Sequence, residues 1–182
     1  MMYKGYENDI IWRQIQEYLP VKNRIDDNND QKEEWLETGK NQIHIDHYIC
    51  NDAKGIVVIY HGAGGNGRLL SFIAVPLHKA GYEVICPDLP LYGHSVCSGK
   101  TTYSDWVECG TVIAEKYRQD DKPLYLFGLS AGGMLSRIFF DEIQSSKELK
   151  LLQGAGHFPI EEKGLKQLEE YCIAFMNRQR DS

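Results

Sequence analysis

Long apolar runs are missing from this chain. No stretch of its 182 residues approaches the roughly 18 consecutive apolar residues of a membrane-crossing helix, so no membrane span is expected. The opening residues, Met1 through Asp9, lack the apolar segment of a secretory signal. Positive charge is scarce as well: 20 Lys and Arg against 26 Asp and Glu leave a formal net charge of −6. That balance argues against a nucleic-acid partner, which calls for a basic stripe. Five cysteines are present, Cys50, Cys86, Cys97, Cys109 and Cys172, an odd and widely scattered set. A disulfide framework or a zinc site calls for short paired spacings, so reduced thiols in a cytoplasmic protein are expected. Internal repeats, low-complexity segments and linkers are also missing, and 42% hydrophobic residues suit one globular domain spanning 1–182.

What is present reads as an α/β chain. Apolar residues at Ile10, Ile11, Ile15, Tyr18 and Leu19 predict a short amphipathic helix from Asp9 to Leu19, stopped by Pro20. Together with the polar, acidic stretch 23–34, read as a solvated loop, it makes up an N-terminal helix-and-loop segment over 1–33. Glu34–Thr38 and Gln42–Ile49 flank Gly39-Lys40-Asn41, and the second run alternates Ile43, Ile45, His47 and Ile49 against Gln42, His44, Asp46 and Tyr48. A β-hairpin is expected there. Beyond it the pattern changes to strands alternating with helices. The expected elements are strands at Gly55–Tyr60, Tyr82–Cys86, Pro123–Phe127 and Leu149–Leu152, and helices at Leu69–Ala80, Tyr103–Arg118, the apolar stretch from Met134, and Leu165–Met176. That alternation predicts βαβ units: a mostly parallel sheet with helices on both faces.

Three glycine-flanked segments could carry chemistry. Gly128-Leu129-Ser130-Ala131-Gly132 has the G-x-S-x-G form of a strand-to-helix elbow that exposes a serine hydroxyl. A serine hydroxyl needs a neighbouring base to take its proton, and His157, within Gly154-Ala155-Gly156-His157, is the candidate. His61-Gly62-Ala63-Gly64-Gly65 follows a buried strand and lets backbone N–H groups approach an oxyanion closely. The Ala63 and Ala131 amides are the candidate oxyanion donors. This turn lacks the Walker lysine and the G-x-G-x-x-G spacing of a phosphate loop. His44 and His47, three apart in a strand, point to opposite faces, a poor arrangement for a metal. Cys97 and Cys109 read as ordinary thiols, and Trp106 and Tyr103 as residues that pack against the core.

Taken together, these segments resemble the α/β-hydrolase superfamily and, within it, lysophospholipase-like or monoacylglycerol-lipase-like serine esterases. Val57–Gly62 resembles the oxyanion strand, Gly81–Ser95 the next strand with its P-D-x-P-x-x-G-x-S loop, Gly128–Gly133 the elbow, and Gly154–Pro159 the histidine loop. The resemblance implies a small-molecule ester or acyl-glycerol substrate and no cofactor or metal. The chain departs from the family between Ile143 and Glu148. The family order is Ser, then Asp or Glu, then His, with two strand–helix units and usually a cap in between. Here only 27 positions separate Ser130 from His157, implying an internal deletion near 144–148. Asp141, Glu142 and Glu148 are the only acids in the gap, and none is placed to orient the imidazole. Asp88 reads as structural, Asp105 and Glu108 as solvated helix residues, and Glu161 and Glu162 as loop charges, so no triad acid is assigned. Two readings follow. One is a serine esterase of impaired activity; the other is a catalytically dead remnant that binds a hydrophobic ligand or a protein partner. A free edge on the Leu149–Leu152 strand would further favour a homodimer.

Overall fold

The computed structural model describes residues 5–6, 9–26, 31–141, 152–157 and 159–180. It contains an N-terminal helix α1 (Ile10–Tyr18), a hairpin of β1 (Gln31–Thr38) and β2 (Asn41–Tyr48), then β3 (Ile56–Tyr60), α2 (Ser71–Lys79) and β4 (Glu83–Pro87). A short β5 (Val96–Cys97), α3 (Tyr103–Tyr117), β6 (Leu124–Gly128), α4 (Ala131–Asp141) and α5 (Glu162–Arg180) follow.

The sheet runs β1-β2-β4-β3-β6, with β5 pairing against β2. The hairpin is antiparallel and closes on Gly39-Lys40, with Thr38 opposite Asn41. It joins the rest through an antiparallel β2–β4 pair, whereas β4–β3 and β3–β6 are parallel. The parallel strands follow from their connections: α2 carries the chain from β3 to β4, and α3 carries it on to β6, as helix crossovers require. Strand β3 thus lies between β4, which ends just before Asp88, and β6, which ends two residues before Ser130.

Strand β3 reads Ile-Val-Val-Ile-Tyr and is buried at every position, as a strand covered on both faces should be. Its side chains divide by parity. Val57 and Ile59 join Phe72, Val75 and Leu77 of α2 and Leu165 and Met176 of α5 on one face. On the other, Ile56, Val58 and Tyr60 join Trp106, Cys109 and Ile113 of α3 and Leu135 of α4. Helix α3 starts at a capping box, in which Asp105 Oδ2 accepts from Thr102 N–H at 2.6 Å and Thr102 Oγ1 at 2.9 Å. Asp105 also pairs with Lys40 at 2.7 Å, and these bonds hold its carboxyl at about 2.

Several expectations are corrected. Helix α1 is present, with Asp9 accepting from Trp12 N–H as its N-cap, but it buries a different face. Ile10, Ile11 and Tyr18 are 71%, 69% and 82% exposed, while Trp12 and Leu19 are buried. Trp12 was not counted in the apolar stripe, yet it covers the Arg68 guanidinium. Stretch 23–34 is not all solvated loop: Asn23 is fully buried and donates to Phe72 O at 2.7 Å, and β1 begins at Gln31. Residues Tyr82–Gly99, read as one strand and a loop, contain the extra strand β5. Strand β6 is only half-buried along its length, because among the described residues only β3 flanks it. The expected strand Leu149–Leu152 lies outside the described residues except for Leu152, which is irregular, and the inferred deletion site near 144–148 also lies outside them. Among the described residues no helix is long and apolar enough to cross a membrane.

Candidate active site

Ser130 sits where the elbow motif puts it, at the C-terminal end of β6 and immediately before α4. Its φ is +55°, in the left-handed region that non-glycine residues rarely occupy and that, among the described residues, Leu91 shares. Its neighbours explain the G-x-S-x-G pattern. A Cβ on Gly128 would fall 2.1 Å from the Gly132 carbonyl oxygen, and one on Gly132 would fall 2.1 Å from the Tyr60 carbonyl oxygen. Only hydrogens fit where elbow and β3 cross. Leu129 N–H donates to Tyr60 O at 3.0 Å, and Met134 N–H to Ser130 O at 3.2 Å, so the serine is fixed from both sides. The residue is exposed.

The turn after β3 lies against this serine. A Cβ on Gly62 would fall 3.0 Å from Ser130 Cβ and 3.7 Å from Oγ. Ala63 follows Gly62 in that turn, and Ala131 is the first residue of α4. Among the described residues neither backbone N–H meets a protein acceptor. Two N–H donors next to an exposed serine, one of them at a helix N-terminus, suit an anionic oxygen.

The sequence model of the alpha/beta hydrolase fold family matches residues 55–147, just over half of the chain. The chain belongs to the α/β hydrolase fold family. A thioesterase domain from the curacin biosynthetic pathway is 29% identical, with a TM-score of 0.52 over 58% of this chain and 39% of that one. An epoxide hydrolase from Vigna radiata is 16% identical, with a TM-score of 0.53 over 62% of this chain and 37% of that one. A laboratory-evolved variant of potato epoxide hydrolase is 14% identical, with a TM-score of 0.52 over 58% of this chain and 34% of that one. This α/β hydrolase chain therefore spans between a third and two fifths of the length of the solved structures it matches. No curated protein matches it.

His157 lies in the short described stretch before α5 and is exposed. Among the described residues no hydrogen bond joins it to Ser130 Oγ. The structure packs Gly62 of the glycine turn against Ser130, with Ala131 next to the serine in the chain, but does not bond the imidazole to the hydroxyl. Glu161 is turned to the loop backbone, where Oε1 accepts from Gly156 N–H at 3.3 Å. Asp88 is engaged elsewhere: Oδ1 accepts from Gly67 N–H at 2.7 Å, and Oδ2 from Tyr6 Oη at 2.9 Å and His94 N–H at 2.8 Å. Trp106 is buried, its Nε1 donating to Pro90 O at 3.0 Å. Tyr103, expected in the core, is 44% exposed at the rim.

Asp88 belongs to a buried ionic cluster that the sequence reading missed. The alternate face of β2 carries His44 and Asp46, both fully buried. Arg68, 4% exposed, donates through Nε and Nη2 to the two Asp46 oxygens, and its Nη2 reaches Glu33 Oε1 at 3.0 Å. The guanidinium carbon lies over the Tyr6 ring at 4.9 Å and over the Trp12 ring at 5.4 Å. His44 Nε2 meets Glu33 Oε2 at 2.8 Å, while Nδ1 approaches Asp88 Oδ2 at 3.1 Å off the hydrogen-bond line. Burial opposes the charged imidazole, but Asp88 and Glu33 outweigh it and raise His44 to about 9. Burial likewise opposes the Glu33 carboxylate, but bonds from His44 and Tyr6 N–H, with Arg68 nearby, hold it at about 2. Glu33, His44 and Asp46 offer ligand atoms within 4.8 Å of one another, a cation-holding set whose cation is supplied by Arg68. The one sequence signal was the occurrence of His44 and Asp46 between apolar positions of a strand. Nothing local named their partners.

Proposed function

We propose that this α/β hydrolase chain is a serine hydrolase of carboxylic esters, of esterase or lysophospholipase type. Ser130 attacks the acyl carbonyl, His157 takes the serine proton and returns it to the leaving group, and the Ala63 and Ala131 amides hold the oxyanion. The observation that carries this reading is the Ser130 elbow, with its positive φ, its exposed serine and a glycine turn packed against its Cβ. The likeness to a thioesterase domain supports chemistry at an acyl carbonyl. The separation of Ser130 from His157 is compatible with the reading, since catalytic hydrogen bonds are often long or misaligned before substrate binds.

A fluorophosphonate probe tests it: labelling of wild type that vanishes in Ser130→Ala supports the enzyme. Loss of the triad acid alone costs ~10⁴ in kcat, so hydrolysis of p-nitrophenyl acetate is expected to be slow. A kcat in the usual range of roughly 1–10³ s⁻¹ would mean that an acid does serve His157, and Glu161, four residues on in the same loop, would be the first to replace, by Gln.

The second reading is a non-catalytic α/β hydrolase fold that binds a hydrophobic ligand or a protein partner. What favours it is the employment of the nearby carboxylates, Glu161 on Gly156 N–H and Asp88 in the ionic cluster. Wild-type protein that is folded yet never labels would decide for it.

A further inference from the structure

His61 is buried at the end of β3, and the function proposed above gives it no part. Its ring makes two hydrogen bonds with defined roles. Nε2 lies 2.9 Å from Leu89 N–H, and a backbone N–H can only donate, so Nε2 must be the unprotonated nitrogen. The ring proton therefore sits on Nδ1, which donates to the Gly62 carbonyl at 2.7 Å. Gly65 N–H donates to the same carbonyl at 3.1 Å, so both lone pairs of that oxygen are used. The ring is packed edge-on against Tyr92 at 5.4 Å and Trp106 at 6.1 Å. Burial lowers its pKa, which keeps it neutral and the Nε2 lone pair available.

The Gly62 carbonyl and the Ala63 N–H belong to one peptide unit. The described chain has no cis peptide bond, so the two groups point in opposite directions. Holding the carbonyl toward His61 and Gly65 aims the Ala63 N–H the other way. This peptide starts at Gly62, where an added Cβ would fall 3.0 Å from Ser130 Cβ. The far end of the turn is tied down independently, by Gly67 N–H on Asp88 Oδ1 at 2.7 Å. Both ends of the turn are thus fastened to the chain just beyond β4, through Leu89 and Asp88. Between them lie Ala63, two glycines and Asn66, a stretch able to rotate if the Gly62 carbonyl is released.

We propose that His61 is a positioning residue: its Nδ1–H fixes the Gly62–Ala63 peptide so that the Ala63 N–H faces the oxyanion formed at Ser130. The proposal rests on the serine-hydrolase reading. Three variants separate the two bonds. In His61→Asn the amide nitrogen takes the place of Nδ1 and keeps the bond to the Gly62 carbonyl while giving up Leu89. In His61→Gln the longer side chain reaches Leu89 N–H and gives up the Gly62 carbonyl. His61→Phe keeps a ring in the pocket and loses both bonds. The measurements are the second-order rate of fluorophosphonate labelling and the kcat and KM for p-nitrophenyl acetate, on variants shown by circular dichroism to be folded.

Removal of one oxyanion donor costs about 10²–10³ in kcat. His61→Phe and His61→Gln are expected to fall by that factor, with KM changed less than threefold, while His61→Asn stays within about tenfold of wild type. Equal losses in all three, or no loss in His61→Phe, would overturn the inference. ¹⁵N NMR of the wild-type ring gives an independent readout that does not require a folded variant: a protonated Nδ1 with bare Nε2 supports the assignment, and the reverse tautomer overturns it. Wild type that fails to label at all overturns the Ser130 reading instead, so the two failures are distinguishable.

Discussion

Replacing Arg68 with methionine tests whether the buried ionic cluster holds the N-terminal segment and hairpin onto the sheet. Arg68 is 4% exposed, meets both oxygens of the fully buried Asp46, touches Glu33, and lies over the Tyr6 and Trp12 rings. Methionine fills much of the same volume but carries no charge, so Asp46 is left buried without its counter-ion. Breaking a buried pair from one side costs about 3–5 kcal/mol, because the stranded charge keeps its desolvation penalty. Loss of the two ring contacts adds about 0.5–1 kcal/mol each. Together these come to about 4–7 kcal/mol, and at roughly 2–4 °C per kcal/mol for a chain of this size the Tm is expected to fall by roughly 8–28 °C. Thermal unfolding followed by tryptophan fluorescence and by circular dichroism measures it, with Trp12 reporting directly on the cluster, and urea unfolding gives the free energies. Asp46→Asn in the Arg68→Met background removes the stranded charge and is expected to recover ~1–2 kcal/mol, a coupling that two independent sites would not show. An Arg68→Met protein within 0.5 kcal/mol of wild type, or a double variant less stable than the single, would refute the reasoning.

The same cluster sets a pH window. His44, raised from 6.5 to about 9, contributes stability that is fully present below 6.5 and lost as pH rises through about 9. Glu33, lowered from 4.5 to about 2, contributes stability present above 4.5 and lost as pH falls through about 2. Urea midpoints should therefore be highest between those ranges, and His44→Phe should flatten the alkaline limb; an unchanged limb would count against the assignment. Gly132→Ala places a methyl group 2.1 Å from the Tyr60 carbonyl, a backbone clash that should cost at least the ~1–3 kcal/mol of ordinary overpacking, read as a lower Tm and lost labelling. Ser130→Gly relieves the φ of +55° at that position, so it should abolish labelling yet be at least as stable as Ser130→Ala, by thermal denaturation. Tyr6→Phe removes the hydroxyl from Asp88 Oδ2 at 2.9 Å and should lower stability by about 1–3 kcal/mol, because an acceptor of a buried charge loses a donor.

Features read within a few consecutive residues were legible in the sequence. The apolar run of β3, the alternation in β2 and the glycine spacing of the elbow each report a local requirement of backbone geometry or burial. Their order along the chain then indicated the parallel sheet and the α/β hydrolase fold. The elbow, the oxyanion turn and Ser130 came from the same local signals, because close approach of two backbones demands glycine at those positions. Only the tertiary structure decided which surfaces meet. Of the apolar residues Ile10, Ile11, Ile15, Tyr18 and Leu19 that marked α1, Leu19 is buried and Ile15 half-buried, but Ile10, Ile11 and Tyr18 face out, because the cluster beneath the helix offered a cation and Trp12 turned inward to cover Arg68. The alternation in β2 set His44 and Asp46 on one face without saying what covers it; both are buried, because Glu33, Arg68 and Asp88 arrive from segments 11 to 44 positions away to pair with them. A charge carries no mark in the sequence of the partner it will find. The role assigned here to His61 depends in the same way on Leu89, 28 residues on, whose N–H selects the tautomer. Local geometry is written in adjacent residues, whereas electrostatic pairing depends on which distant segments the fold packs together.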